Sequence, residues 1–199
     1  NSGMITEEDR TIIGNANPKL YGGLTNNFTW KGFDLSVFLN FSIGNKIYGA
    51  NQMYYTKFNN RWRNTLKDKA LDRFTVMNDK GEYIFDDPQQ LAAVNKDRHY
   101  VSIDGSSNLS FHSGYVEDGS FLKINNISLG YTLPKSLVTK IKLSNVRFYA
   151  TGYNLHTFTK YSGYDPEVNT CANNGLTPSI DWGAYPSAIS VVFGANISF

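Results

Sequence analysis

Ile189-Ser190-Val191-Val192-Phe193-Gly194-Ala195-Asn196-Ile197-Ser198-Phe199 is the stretch whose reading decides the fold. Its odd positions are all apolar, whereas Ser190, Gly194, Asn196 and Ser198 fill four of the even ones. Period two sends the two sets to opposite faces of an extended chain, so this is a strand with one apolar and one small, polar face. The same alternation recurs upstream. Leu35, Val37, Leu39, Phe41 and Ile43 alternate with Asp34, Ser36, Phe38, Asn40 and Ser42, and a weaker version runs from Leu20 to Trp30. Val146, Phe148 and Ala150 alternate with Arg147, Tyr149 and Thr151. Ile127, Leu129, Tyr131 and Leu133 form another set, but Leu122 and Ile124 sit on the opposite parity, which calls for a bulge or a change of surroundings between them. Five strands are expected, near 19–31, 32–44, 120–133, 143–154 and 188–199.

The connections carry the next clue. The turns after Trp30 and after Pro134 are short, whereas the stretches 43–119 and 154–186 far exceed ordinary hairpin loops of about 2–5 residues. If consecutive strands run antiparallel, every long loop falls at one end of the sheet and every short turn at the other, the asymmetry of a transmembrane barrel. Within the first long loop, Trp62, Leu66, Ala70, Phe74 and Met77 have near-helical spacing, and Asp87-Pro88 precedes Leu91, Ala92 and Val94; both read as short helices. Asn78-Asp79-Lys80-Gly81 reads as a turn and Glu82-Tyr83-Ile84-Phe85 as a small strand.

Composition narrows the choice. Charged residues make up 18% of the 199 and aromatics 15%, and 17 of the 36 charges fall within 57–104, so that loop faces water. Arg61, Arg63, Lys67, Lys69 and Arg73 are interleaved with Asp68 and Asp72, a solvated, salt-bridged face. A net charge of +2 gives no reason to expect nucleic acid. The single Cys171 excludes an internal disulfide, and no apolar run approaches the ~18 residues of a membrane helix. The chain opens on Asn1 without a basic-then-apolar leader, so a missing upstream portion is expected.

Several stretches carry a family resemblance: Gly14-Asn15-Ala16-Asn17-Pro18-Lys19, Trp30-Lys31-Gly32-Phe33-Asp34-Leu35 and Asp118-Gly119-Ser120-Phe121-Leu122-Lys123. Ile127-Ser128-Leu129-Gly130-Tyr131-Thr132-Leu133-Pro134, Tyr149-Ala150-Thr151-Gly152-Tyr153-Asn154-Leu155 and Tyr161-Ser162-Gly163-Tyr164-Asp165-Pro166-Glu167 follow in order. In these the chain resembles the C-terminal part of the SusC/RagA-type TonB-linked outer-membrane transporters of Bacteroidetes. The resemblance implies an all-β fold, the last five strands of a 22-stranded transmembrane barrel whose lumen holds a plug. It also implies residues 1–199 as one barrel segment containing a long extracellular loop at 45–118, with the plug and earlier strands absent. The implied partners are a SusD-like surface lipoprotein, the rest of the barrel and plug, TonB through the missing part, outer-membrane lipid, and a glycan or peptide cargo. Phe199, with Phe193 and Ile197 behind it, resembles the family's C-terminal membrane-insertion signal.

Candidate ligand contacts fall in the 154–186 loop. Tyr161, Tyr164, Trp182 and Tyr185 offer flat rings for sugars or peptide groups, with Asp165 beside them, although folding of the loop on itself is the commoner reason for such aromatics. Trp30, Tyr131 and Tyr153 suit the membrane interfaces, where amphipathic rings concentrate. Asp165, Glu167 and Asn169 place oxygens at alternate positions, but an EF-hand counted from Asp165 would need Gly and Glu where Thr170 and Leu176 stand, so no calcium and no other cofactor is expected. His99, His112 and His156 are too dispersed for a zinc motif, and the sequons at Asn108 and Asn196 read as accidental. No catalytic centre is expected, because nothing fixes Asp86 and Asp87, or Asp165 and Glu167, at the separation of about 5–10 Å that glycoside hydrolysis needs. Two other classes compete: a soluble, secreted β-sandwich that binds carbohydrate through aromatic platforms, and a glycosidase.

Overall fold

The computed structural model describes Glu8 and residues 10–56, 64–99 and 112–199. Trp62, Arg61, Arg63 and the Asn108 sequon lie outside the described residues. The long alternating segments form β1 (Leu20–Trp30), β2 (Phe33–Ile43), β5 (Phe121–Thr132), β6 (Asn145–Thr159) and β7 (Ser190–Ser198). They make one antiparallel sheet in the order β1-β2-β5-β6-β7. A second, two-stranded sheet joins β3 (Lys46–Tyr48) and β4 (Val116–Asp118). The chain divides into two compact units. The first holds the sheet and the 160–180 and 184–189 segments; the second consists of Tyr48–Val116 with Asp181–Gly183.

Register explains the alternation. Trp30, Phe33, Tyr131 and Phe148 lie in one cross-strand row, and Phe28, Leu35, Leu129, Ala150 and Phe193 in the next. Most of these side chains are exposed, and among the described residues no second sheet packs on them as a β-sandwich would require. β1 and β2 have 11 residues each, the length of about 9–11 with which a tilted strand crosses hydrocarbon. The other face carries Asn27, Ser36, Ser128, Thr151 and Val192 in register, with the Ser128 and Thr151 hydroxyls 2.8 Å apart.

The parity break in β5 is a bulge. Leu39 opposes Ile124 while Phe38 opposes Asn126, so Asn125 is an extra residue in β5. β6 widens the defect, because Ile124 opposes His156 and Asn126 opposes Tyr153, leaving Asn154 and Leu155 against Asn125 alone. Asn154 takes the left-handed conformation (φ +52°) and its side-chain amide donates to the Ala188 carbonyl at 3.0 Å. β6 therefore continues to Thr159, beyond the expected end at 154. Tyr153, paired with Asn126 and Ser190, shares the polar face with Thr151, so it is not an interface ring as expected; Trp30 and Tyr131 stay in the aromatic row.

Both short connections leave one end of the sheet. Lys31 and Gly32, both at positive φ, form the two-residue turn between β1 and β2. A helical turn, α4 (Lys135–Val138) followed by a 3-10 turn (Thr139–Ile141), joins β5 to β6 and buries Val138. Both long connections leave the opposite end.

The second unit differs from its reading in three places. α1 (Ala50–Thr56) had no sequence signal. α2 spans only Lys67–Leu71, because Asn95 claims the backbone of Thr75 through two 2.8 Å hydrogen bonds and Met77 bridges to Tyr83 instead of continuing a helix. The 82–85 strand reduces to that single bridge. α3 (Pro88–Asn95) forms as read, capped by Asp87 Oδ1, which accepts from the Gln89 and Gln90 amides at 3.1 and 3.0 Å.

Asp34 on β2 and Arg147 on β6 meet across β5, with Arg147 Nε donating to Oδ1 at 2.9 Å and Nη2 to Oδ2 at 2.5 Å. The guanidinium lies over Gly130, where a Cβ would collide with both Arg147 and Asp34. Gly130→Val in the full-length protein should therefore lower stability by about 1–3 kcal/mol through overpacking and loss of the pair. Gly175→Ala, where a Cβ meets nothing, should leave the unfolding temperature in detergent unchanged.

Candidate functional site

The 160–189 connection is a built structure anchored to the polar face of the sheet. Asn40 and Lys123 oppose each other on β2 and β5. Lys123 is only 3% exposed, and a buried ammonium is tolerable only with an opposite charge and hydrogen bonds around it. Glu167 supplies them from the connection: Lys123 Nζ donates to its Oε2 at 2.5 Å, and the Asn40 amide donates to Oε1 at 3.0 Å.

Asp165, two residues earlier, closes the connection on itself. Its Oδ1 accepts from the Glu167 amide at 3.0 Å, and its Oδ2 accepts from the Ser187 hydroxyl at 2.7 Å and the Ser187 amide at 3.3 Å. Burial works against ionisation of this carboxyl, but these hydrogen bonds and the field of Lys123 outweigh it and hold the group below its ordinary value. At the start of the connection, the Ser162 amide and hydroxyl donate to the two oxygens of Glu117 at 2.8 and 2.7 Å.

Tyr161 packs with Ile47, Val168 and Ala184 and is 6% exposed, so its ring serves the core of the loop and offers no free face. Tyr164 and Tyr185 are 79% and 93% exposed, and they stand next to the two ends of the Asp165–Ser187 closure. Trp182 belongs to the second unit, where the neighbouring Asp181 exchanges backbone hydrogen bonds with Tyr48 and Asn51. Beside the loop, Tyr21, Asn40, Ser42, Asn45, Glu167 and Asn169 line a cleft of about 510 Å³. Phe193 and Ile197 lie on the apolar face of β7 opposite Ala150 and Val146, and Phe199 follows fully exposed.

The remaining acids and histidines are dispersed. Asp87 caps a helix, Asp165 and Glu167 are engaged as above, and among the described residues no three His, Cys, Asp or Glu side chains converge as a metal site. His99 pairs with Asp72 at 3.1 Å, His112 stacks on Tyr115, and His156 lies edge-on to Phe158. Sequence reasoning missed Lys123, Asn40 and Glu117. The available signal was Lys123 itself, a cation within an otherwise uncharged alternating strand.

Two tests follow from this anchoring. Glu167→Gln should cost about 1–3 kcal/mol by leaving the Lys123 charge buried without its counter-charge, and Lys123→Met in the same protein should recover most of the loss. Because Asp165 is depressed in the folded state, its contribution is fully present above the unfolded value of about 3.9 and disappears as pH falls through the lower folded value. Hydrogen exchange at the Glu167 and Ser187 amides should stay slow down to that pH and quicken below it, and Asp165→Ala should quicken it at every pH.

No protein-family model matches the chain. Along its whole length it is 31% identical to TonB-dependent receptor P3 of Formosa agariphila and 28% identical to TonB-dependent receptor SusC of Bacteroides thetaiotaomicron. It spans only 18% and 17% of those two proteins. Its fold superposes on the RagAB peptide importer in the closed-closed state with a TM-score of 0.71 and 25% identity, over 94% of this chain and 18% of that one. The open-open state gives 0.69 and 27% over the same shares. In sequence and in fold the chain thus resembles one segment, under a fifth of the length, of TonB-dependent receptors such as SusC and of the RagAB peptide importer.

Proposed function

We propose that the chain is the C-terminal barrel wall of an importer in the outer membrane of a Gram-negative bacterium of the Bacteroidetes, taking up glycans or oligopeptides with energy passed on by TonB. The observation that carries this reading is the sheet's uncovered apolar face, flanked by an aromatic row at the short-turn end and by both long connections at the other. Short turns then face the periplasm, and the 45–118 and 160–189 segments face outward. The role of the chain is structural: it supplies lipid-facing wall, lumen lining and external loops, and it performs no catalysis. Lumen lining suits the small hydroxyl and amide side chains of the opposite face.

Likeness to SusC and to the RagAB importer supports a SusD-like lipoprotein as the partner on the outer side, closing over cargo above the plug. Tyr164 and Tyr185 are the cargo-contacting rings, with Asp165 setting the loop that presents them and Tyr161 acting through the loop's core; Trp182 is a separate candidate contact within the second unit. Phe193, Ile197 and Phe199 form the signal read during membrane insertion.

The test uses the full-length protein. It should require detergent, and vesicles or cells carrying it should accumulate oligosaccharide or peptide only when TonB is energised; a water-soluble, monodisperse particle would overturn the reading. Tyr164→Ala and Tyr185→Ala should each weaken cargo binding about threefold to tenfold, the loss expected for one stacked ring, with unchanged folding. Calorimetric titration with glycan and peptide libraries measures this and distinguishes the two cargo classes.

A further inference from the structure

At the short-turn end of the sheet the two connections concentrate one sign of charge. Lys31 lies in the β1–β2 turn, and Lys135, Lys140 and Lys142 lie in the β5–β6 turn, all four exposed. Asp34, the one acidic side chain in these turns and their flanking strand ends, is already held by Arg147. Among the described residues none of the four lysines has an ion-pair partner.

The β5–β6 turn also carries exposed apolar side chains. Val138 is buried and fixes the turn to the sheet, whereas Leu137 and Ile141, on either side of it, are 51% and 60% exposed. In water these two would gain nothing from such positions. Their turn leaves the sheet end at which Trp30, Phe33, Tyr131 and Phe148 form the aromatic row, and Lys31 Nζ sits 5.1 Å from the Trp30 ring centre. A row of amphipathic rings at the strand ends, followed by a turn that exposes both apolar side chains and ammonium groups, matches the interface and phosphate region of a lipid leaflet.

We propose that this end of the wall is a binding surface for anionic phospholipid headgroups of the leaflet at the short-turn side, with Leu137 and Ile141 dipping into the acyl boundary and Lys135, Lys140 and Lys142, assisted by Lys31, holding the phosphates. Lipid is the occupant favoured here because the turn that carries three of the lysines also exposes two apolar side chains: a soluble polyanion would satisfy the lysines but leave Leu137 and Ile141 in water. The proposal rests on the membrane reading above.

The experiment compares full-length protein in nanodiscs of phosphatidylcholine with and without phosphatidylglycerol, counting retained lipids by native mass spectrometry after release into mild detergent. Wild type should retain phosphatidylglycerol over phosphatidylcholine. The triple variant Lys135→Gln, Lys140→Gln, Lys142→Gln should reduce that preference on the order of tenfold, since each lysine near an anionic surface changes affinity severalfold. The preference should survive an excess of inorganic phosphate and weaken in Leu137→Ser with Ile141→Ser. Equal retention of the two lipids, or an undiminished preference in the triple variant, overturns the proposal and leaves the barrel reading intact. A protein that enters no nanodisc at all fails the barrel reading instead. If the triple variant misfolds, charge reversal at Lys31 alone, outside the β5–β6 turn, gives the same comparison.

Discussion

A Phe, Leu or Ile side chain left in water instead of an apolar medium forgoes about 1.5–3 kcal/mol. The sheet presents Leu24, Phe28, Phe33, Leu129, Phe148, Phe193 and Ile197 on one face, all exposed. For seven such residues the forgone gain is comparable to the whole net stability of an ordinary domain, about 5–15 kcal/mol. Contact with hydrocarbon recovers that forgone gain without a second sheet. The remaining architecture follows from this constraint. Hydrocarbon offers no hydrogen bonds, so the backbone must pair strand to strand, and most polar side chains turn to the other face.

That second face cannot be apolar or empty, and the chain handles it with small residues and paired charges. Asp34 and Arg147 satisfy each other only because Gly130 leaves the intervening strand bare. Lys123 is satisfied only because the 160–189 segment returns Glu167 to the wall. The two pairs differ in consequence. The first stitches strand to strand and stiffens the wall. The second makes loop placement a condition for burying a wall charge, so that loop and sheet are energetically one object.

Period two made the strands legible, since a one-residue slip would move every side chain to the wrong face. The same logic exposed the bulge, because Leu122 and Ile124 could share a face with Ile127 only if one residue were extra. It failed in β6 for a related reason. Two extra residues, Asn154 and Leu155, restore the original parity, and the apolar positions around them are Gly152 and His156, too weak to announce that the strand continues. Helical spacing misled at 61–77 because Phe74 and Met77 match the period while Thr75 binds Asn95 across 20 residues, a contact that local periodicity does not encode. The site was legible only in its residue types. Tyr161 and Tyr164 look alike in sequence, yet one is core and the other exposed, and the partners that decide this, Ile47 and Val168, are remote or unremarkable.

The ring that is buried and the rings that are exposed then have a common cause. A loop that presents aromatics to a ligand must first be rigid, or ordering it would consume the binding energy. Rigidity here comes from a small core around Tyr161, a carboxylate closure at Asp165 and a charge anchor at Glu167, within seven residues of chain. Tyr164 is embedded among these three fixings yet makes no part of them. Its exposure is therefore not the looseness of an unfolded loop but the result of neighbours that hold the backbone still while leaving one ring in the open.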